Sequence, residues 1–98
     1  MSALSSKEKA ALRGVAQTLK PAVHIGRQGL QSGAAAELRA AFSRQELVKV
    51  AFKADRDAIP ALVAEVERLT GSECVGGVGK RRSFYRELPE SESEFKEL

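Results

Sequence analysis

The segment HIGRQGL, residues 24–30, has the residue types of a loop that binds an anion. Glycine allows positive φ angles and places no Cβ between backbone and ligand, so Gly26 and Gly29 would let the chain approach a ligand closely. Between them, Arg27 adds a positive charge, and Gln28 can both donate and accept hydrogen bonds. The loop is predicted to lead from a strand to a helix N-terminus, where free N–H groups and the positive end of the helix dipole favour an anion.

The same loop lacks the features of two common nucleotide-binding motifs. The letters GRQG have neither the spacing of a P-loop nor its Lys-Ser/Thr pair, and they lack the third glycine of a dinucleotide fingerprint. A glycine-x-x-glycine loop with basic x residues instead clamps a nucleotide backbone in KH-type modules. Taken alone, the motif most often indicates only a tight turn.

A second group of cations lies in GKRR, residues 79–82, at the predicted turn of the last hairpin. Lys80, Arg81 and Arg82 could serve only to blunt the edge of a sheet. From the residues alone, this structural interpretation is as good as a binding one. If the two loops lie at the same end of the fold, their cations and Lys20 would form one basic surface.

Patterns for catalysis or metal binding are weak in this sequence. His24 is the only histidine, and Cys74 is the only cysteine and has no histidine nearby. We expect the cysteine to pack within a strand. No set of residues assembles a nucleophile, a base and an oxyanion site. We therefore predict no enzymatic activity, no catalytic residue, no metal and no cofactor, with an enzyme that uses His24 as an alternative.

Length and charge favour one domain with an acidic tail. The chain has 98 residues, enough for a single domain with a modest core. Residues 1–89 carry 15 basic and 9 acidic side chains, a charge of +6, whereas residues 90–98 carry four Glu and one Lys, a charge of −3. We expect a domain at residues 1–88 with a polyanionic partner, and a disordered acidic tail at residues 89–98.

The cellular location is predicted from what the sequence lacks. Residues 1–14 contain charges and no apolar signal-peptide core, and no apolar run is long enough to span a membrane. A single cysteine forms no intramolecular disulfide, which suits a reducing compartment. We expect a cytoplasmic monomer without a membrane partner.

Hydrophobic periodicity predicts three helices. The first begins at the capping-box pair Ser5 and Glu8 and ends before Pro21. The second covers roughly residues 33–44. In the third, Asp57 is the expected cap, Pro60 lies in the first turn, and Gly71 is the expected stop.

Four strands are predicted between and after the helices. Val23 and Ile25 of the first strand point one way and His24 the other. In the third strand, Gly76 and Gly77 predict a bulge or a close backbone approach. Strand-helix-strand units favour parallel pairing of neighbouring strands, and the last two strands should form an antiparallel hairpin.

The predicted fold is a single compact α/β (α+β) domain with the order α-β-α-β-α-β-β and a mixed four-stranded sheet packed on helices. The predicted strands lie at residues 22–25, 46–53, 73–80 and 83–88.

Three segments resemble a known family. LKPAVHIGRQGL, then ELVKVAF, then VGKRRSFYR are similar to the CRM domain, the chloroplast RNA splicing and ribosome maturation family, in its stand-alone bacterial YhbY-like form. The resemblance runs from about the first helix to Arg86. The sequence departs from the family at Arg27, where lysine is frequent, and at Gly76 and Gly77, where bulkier residues are usual.

The resemblance implies a compact RNA-binding fold similar to the C-terminal domain of bacterial translation initiation factor three. It implies an RNA-binding ribosome-assembly factor that contacts precursor large-subunit ribosomal RNA, without DNA specificity. The alternative is a protein-interaction adaptor whose basic surface docks on an acidic ribosomal or translation protein. The expected RNA-binding residues are Gly26, Arg27, Gln28, Gly29, Lys20, Lys80, Arg81, Arg82 and Arg86.

Overall fold

The computed structural model describes residues 4–27, 29–30 and 32–87, over which the chain forms three α-helices and four strands. Their order, α-β-α-β-α-β-β, confirms the prediction, with a short 3-10 turn at Arg56–Ala58 added. The predicted tail at residues 89–98 lies outside the described part. In that described part no helix is long and apolar enough to cross a membrane.

The helices are α1 (Ser6–Ala16), α2 (Ser32–Phe42) and α3 (Ile59–Thr70), and the strands are β1 (Val23–Ile25), β2 (Leu47–Phe52), β3 (Glu73–Gly76) and β4 (Arg81–Tyr85).

The strands form one mixed sheet with the order β1-β2-β4-β3. β1 and β2 pair in parallel, as predicted for strands joined through a helix, and β4 pairs antiparallel with both β2 and β3. The parallel pairing expected for β2 and β3 does not occur, because β4 lies between them. The central position suits β4, whose Phe84 is fully buried, and the edge suits β3, whose pairing is interrupted by a bulge.

Different helices cover the two faces of the sheet. α2 and α3 cover the face to which Val23, Ile25 and the alternate apolar residues of β2 point, as the period-two pattern predicted. α1 packs on the opposite face, where Leu12 contacts a small apolar cluster with Leu47 and Val75. Because a single helix covers that face, part of it is left open.

The start of α1 and the end of α3 follow their sequence signals, whereas the start of α3 does not. Ser5 and Glu8 form the predicted capping box: the Ser5 N–H donates to the Glu8 carboxylate at 2.8 Å, and the Glu8 N–H donates to the Ser5 hydroxyl at 3.1 Å. Gly71 ends α3 in the left-handed conformation, as predicted. Asp57 was wrongly predicted as the cap of α3, since it lies inside the 3-10 turn and the cap position belongs to Ala58.

α1 ends at Ala16, four residues before the predicted end at Lys20. The ammonium group of Lys49, on β2, donates to the carbonyl oxygens of Ala16 and Leu19 at 3.1 and 3.2 Å. A cation at this position adds a second donor to the Ala16 carbonyl, which also accepts from the Leu19 N–H at 3.0 Å, and offsets the negative end of the helix dipole. Lys49 therefore ties the end of α1 to the sheet.

The hairpin between β3 and β4 differs from its predicted boundaries. β3 ends at Gly76 instead of residue 80, and the predicted bulge is present in its pairing. β4 begins at Arg81, so Arg81 and Arg82 lie on the strand and not in the turn. The predicted close approach is also present, because a Cβ on Gly77 would collide with the Arg81 carbonyl and lie 2.9 Å from the Arg82 Cα.

Candidate functional site

The glycine loop projects from the end of β1 as a tight turn. The Gly29 N–H donates to the Gly26 carbonyl at 3.0 Å, which closes a four-residue turn with Arg27 at its first central position. Gly26 and Arg27 are exposed, whereas Gln28 lies outside the described residues. Because the Gly29 N–H is engaged in the turn, the Arg27 guanidinium is the main donor that the described part of the loop offers to an anion.

The two glycines of the loop have different roles. Gly29 has a φ of +80°, which L side chains rarely adopt, and a Cβ there would lie 3.4 Å from the Leu62 side chain. Gly26 has no positive φ, and no atom lies within 4 Å of the place where its Cβ would stand. The turn therefore requires Gly29, whereas the fold does not require Gly26, whose bare backbone is open to a ligand.

A concave surface of about 670 Å³ lies beside the loop. Arg27 and Lys53 supply its cations. Lys53 is held next to the loop because its backbone N–H donates to the Ile25 carbonyl at 2.8 Å. Glu37, on α2, adds a carboxylate to the same surface. The surface beside the loop therefore carries charges of both signs.

The basic hairpin lies at the same end of the sheet as the glycine loop. Arg81 pairs with Ala51, and the Phe52 N–H donates to the Lys80 carbonyl at 2.9 Å. On the other side of β2, Ile25 pairs with Phe52. The start of β4 and the end of β1 are thus two strand spacings apart, about 10 Å. The two loops predicted to form one basic surface are neighbours.

Arg86 is placed away from this end. It follows β4 at the opposite end of the strand, and its guanidinium donates to the carbonyls of Thr70 and Phe42 at 3.1 Å each. The same guanidinium lies 5.3 Å from the centre of the Phe42 ring. These contacts tie the ends of α2 and α3 to β4, so the structure gives Arg86 a packing role and does not bring it to the two loops.

Two other predicted residues are also separate from the exposed cations. Lys20 precedes β1, on the side of the strand opposite the glycine loop. Arg82 lies at the correct end, but its guanidinium donates to the carbonyls of Gly79 and Arg81 and braces the hairpin. Of the predicted cations, the structure brings together Arg27, Lys80 and Arg81.

One row of the sheet connects the two loops. His24, Ala51 and Arg81 pair across β1, β2 and β4, so their side chains point to the same face, the one that α1 covers in part. His24 and Arg81 are exposed. The row therefore forms an open path between the loop and the hairpin, and it contains no acidic residue.

Sequence reasoning missed a groove next to this row. It lies between α1 and the hairpin and is lined in part by Arg13, Gln17, Lys49 and Val78. These residues come from three segments that the sequence does not connect. The spacing of Arg13 and Gln17, about one helical turn, is the one local signal that places two of them on the same face.

The CRS1 / YhbY (CRM) domain family matches residues 4–86, which include both loops and every described helix and strand. The chain belongs to the CRM-domain family. The resemblance stated from three short segments is confirmed.

Relatives of this CRM domain have similar length. A Haemophilus influenzae protein named "RNA-binding protein" is 35% identical over 92 residues, which cover 93% of each chain. A Pseudomonas aeruginosa protein named as a probable RNA-binding protein is 34% identical over 88 residues, 89% of this chain and 85% of the relative. The solution structure of a Staphylococcus aureus protein, described as a candidate RNA-binding protein, matches with a TM-score of 0.80 at 28% identity and covers 89% of this chain and 92% of its own. The predicted α+β fold is confirmed.

Packing accounts for the other reactive groups of this CRM domain. Cys74 packs against the core beneath α2 and α3, and burial raises the pKa of its thiol, which keeps the sulfur protonated and a poor nucleophile. Burial, followed by a hydrogen bond to the Glu46 carboxylate at 3.1 Å, raises the pKa of Tyr85 to about 12, so its hydroxyl is a donor at neutral pH. Over residues 4–27, 29–30 and 32–87, no group of side chains is arranged to hold a metal.

Proposed function

We propose that this CRM domain binds RNA through the glycine loop and the neighbouring basic hairpin, and that it assists ribosome assembly on precursor large-subunit ribosomal RNA. The names of the Haemophilus and Pseudomonas relatives support RNA binding. Family resemblance is the support for the ribosomal role. The observation that carries the proposal is the position of exposed Arg27, Lys80 and Arg81 at one end of the sheet, where the end of β1 and the start of β4 lie about 10 Å apart across β2.

The proposed ligand of this surface is a sugar-phosphate chain. A guanidinium group can donate two parallel hydrogen bonds to a phosphate, which suits Arg27 and Arg81, while Lys53 and Lys80 add point charges. Gly26 allows the chain to approach the backbone without a Cβ in the way. No bond is made or broken, so the protein acts as a binding module.

A single substitution in the loop tests this contact. Gly26→Asp adds a negative charge and a side chain where the fold has open space, so the structure should be preserved. We expect affinity for a transcript of precursor large-subunit ribosomal RNA to fall more than tenfold, about 1.4 kcal/mol, in fluorescence anisotropy titrations. Gly29 is unsuitable for this test, because its φ of +80° would strain any side chain and confuse binding with stability.

Gly14→Asp is the matched control. Gly14 is exposed on α1, has no positive φ and has no atom within 4 Å of its Cβ position, so the same charge is added away from the two loops. Circular-dichroism melts should show both variants folded. Equal RNA affinity of the two folded variants would contradict the role of the loop.

The ribosomal part of the proposal has a separate test. The tagged protein should sediment with large-subunit precursors from a cell lysate, and ribonuclease treatment should release it. If the association survives complete digestion of the RNA, the partner is a protein and the adaptor alternative is favoured. A DNA oligonucleotide of the same base sequence should bind less tightly than the RNA, since RNA recognition includes contacts to the 2′-hydroxyl.

A further inference from the structure

The groove between α1 and the β3–β4 hairpin is a second site on this molecule. Its volume is about 520 Å³, within the range of about 300–1,000 Å³ found for sites that hold small molecules. Apolar surface dominates its lining, to which Ala16, on α1, and Val78, at the tip of the hairpin, contribute. Val78 is 80% exposed, so its side chain is accessible to a ligand.

The charges around the groove are of one sign. Arg13, Lys49, Lys80 and Arg81 line it, and among residues 4–27, 29–30 and 32–87 no acidic residue does so. The first two are held by the fold: the Arg13 guanidinium donates to the Val75 carbonyl at 2.9 Å, and Lys49 donates to the end of α1. Lys80 and Arg81 form no side-chain hydrogen bond or ion pair with another described residue, so two cations at the mouth are available to an anion.

The paired glycines of the hairpin shape one wall of the groove. A Cβ on Gly76 would lie 2.8 Å from Cδ of Arg13, so the missing side chain gives the arginine the space in which it packs. Gly77 allows the chain to turn back against the backbone of Arg81. The wall thus depends on two positions where a side chain would displace either Arg13 or the hairpin.

We infer that this groove holds one unpaired base of the bound RNA while Lys80 and Arg81 contact the phosphates beside it. The inference rests on the proposed RNA-binding function. An apolar slot with cations at its mouth matches a nucleotide, which joins a flat, largely apolar ring to an anionic backbone. Val78 packs against the face of the base, and the Gln17 amide, with two donors and one acceptor, can meet its polar edge.

Continuity with the glycine loop favours RNA over a free nucleotide. The row of His24, Ala51 and Arg81 leads from the loop to the mouth of the groove over about 10 Å without an acidic side chain. A single chain can therefore place phosphates at both loops while one base turns into the groove. Recognition of unpaired bases is the usual way in which proteins bind single-stranded RNA.

The test separates contact with a base from contact with phosphate. Val78→Ala should weaken binding of a labelled 12-nucleotide oligouridylate about three- to tenfold, because methyl groups that would cover the base are lost. A 12-unit ribose-phosphate oligomer without bases should bind more weakly, and the substitution should leave that affinity unchanged. Val15→Ala is the matched control, since Val15 is 37% exposed on α1 and does not line the groove.

Four outcomes of these affinity measurements would overturn the inference, and three of them leave the proposed function intact. These three are an unchanged oligouridylate affinity in Val78→Ala, an equal loss in Val15→Ala, and an equal loss with the oligomer that lacks bases. If the unmodified protein binds no RNA, the proposed function fails together with the inference.

Nuclear magnetic resonance gives a readout that does not depend on a substitution. During titration with the oligouridylate, the Val78 methyl and Gln17 side-chain amide signals should shift with the dissociation constant measured by anisotropy. The oligomer without bases should shift the backbone signals of Gly26 and Arg27 but leave the two groove signals in place. Saturation at the loop without any change at Val78 under oligouridylate would overturn the base site and preserve RNA binding.

Discussion

The glycine loop and the groove lie at the same end of one sheet, yet they are built in opposite ways. The loop is built from neighbouring residues: a hydrogen bond between residues three apart closes it, and Gly29 supplies a positive φ. The groove depends on contacts between distant segments, such as the bond from Arg13 to Val75, 62 residues later. A motif search can find the first kind of site, whereas the second exists only after the chain has folded.

Their electrostatics differ as well. The surface beside the loop combines Arg27 and Lys53 with the carboxylate of Glu37, whereas the described residues that line the groove include cations and no acid. In the function that we propose, the loop contacts an exposed phosphate at a surface of mixed charge. In the base site that we propose, the cations and the apolar lining of the groove together distinguish a nucleotide from a bare phosphate chain.

The largest expected effect is a loss of stability when the wall of the groove is changed, since the groove depends on a close backbone contact. Gly77→Ala would force a Cβ against the backbone of Arg81 and Arg82, so the hairpin must shift. We expect the free energy of unfolding to fall by about 3 kcal/mol, the upper range for overpacking a close approach. Urea denaturation, monitored by circular dichroism, measures this free energy.

Gly14→Ala is the comparison for that experiment. Gly14 lies in α1 with open space around its Cβ position, so alanine should raise the stability by about 1 kcal/mol through helix propensity alone. If Gly77→Ala is as stable as the unmodified protein, the backbone at the hairpin is not as close as described, and the wall of the groove loses its basis.

The next effect concerns whether the two sites hold one RNA chain. Arg27→Gln and Arg81→Gln should each weaken RNA binding about fivefold, near 1 kcal/mol, because each removes one phosphate contact. The double variant should show the sum of the two losses, since the residues lie on separate elements about 10 Å apart. Each change should also reduce the slope of log affinity against log salt by about 0.7.

Arg68→Gln controls for general loss of charge. Arg68 is exposed on α3, on the face of the sheet opposite the groove. Its substitution should leave both the affinity and the salt slope almost unchanged. A loss for Arg68→Gln equal to that for Arg81→Gln would mean that RNA responds only to net charge and that neither site has a specific contact.

The same contrast explains which features the sequence could predict. The capping box of Ser5 and Glu8, the stop at Gly71 and the irregular third strand depend on neighbours in the chain, and their predictions are confirmed. The position of β4 between β2 and β3 could not be obtained locally. It depends on burying Phe84 centrally, a property of the assembled sheet.

Side-chain roles were hardest to predict where the partner is a distant backbone group. Arg86 was grouped with the RNA-binding cations, yet its guanidinium binds carbonyls of Phe42 and Thr70, 44 and 16 residues away. Lys49 likewise lies on β2, yet its ammonium group donates to the Ala16 carbonyl at the end of α1, 33 residues away. A sequence shows that a cation is present. It does not show that carbonyl groups at the ends of two helices will accept hydrogen bonds from that cation.

The smallest expected effect tests the mixed charge of the loop. Glu37→Gln removes the carboxylate from the surface that contains Arg27 and Lys53, so RNA affinity should rise about twofold at low salt and lose this gain at 0.5 M salt, where screening is nearly complete. Glu87→Gln, exposed beyond the opposite end of β4, changes net charge equally and should give a smaller gain. Anisotropy titrations at two salt concentrations measure both. Weaker binding by Glu37→Gln would instead show that the carboxylate accepts a hydrogen bond from the RNA. In that case the difference in charge between loop and groove would reflect two kinds of recognition, because the acid would select a ribose hydroxyl while the groove selects a base.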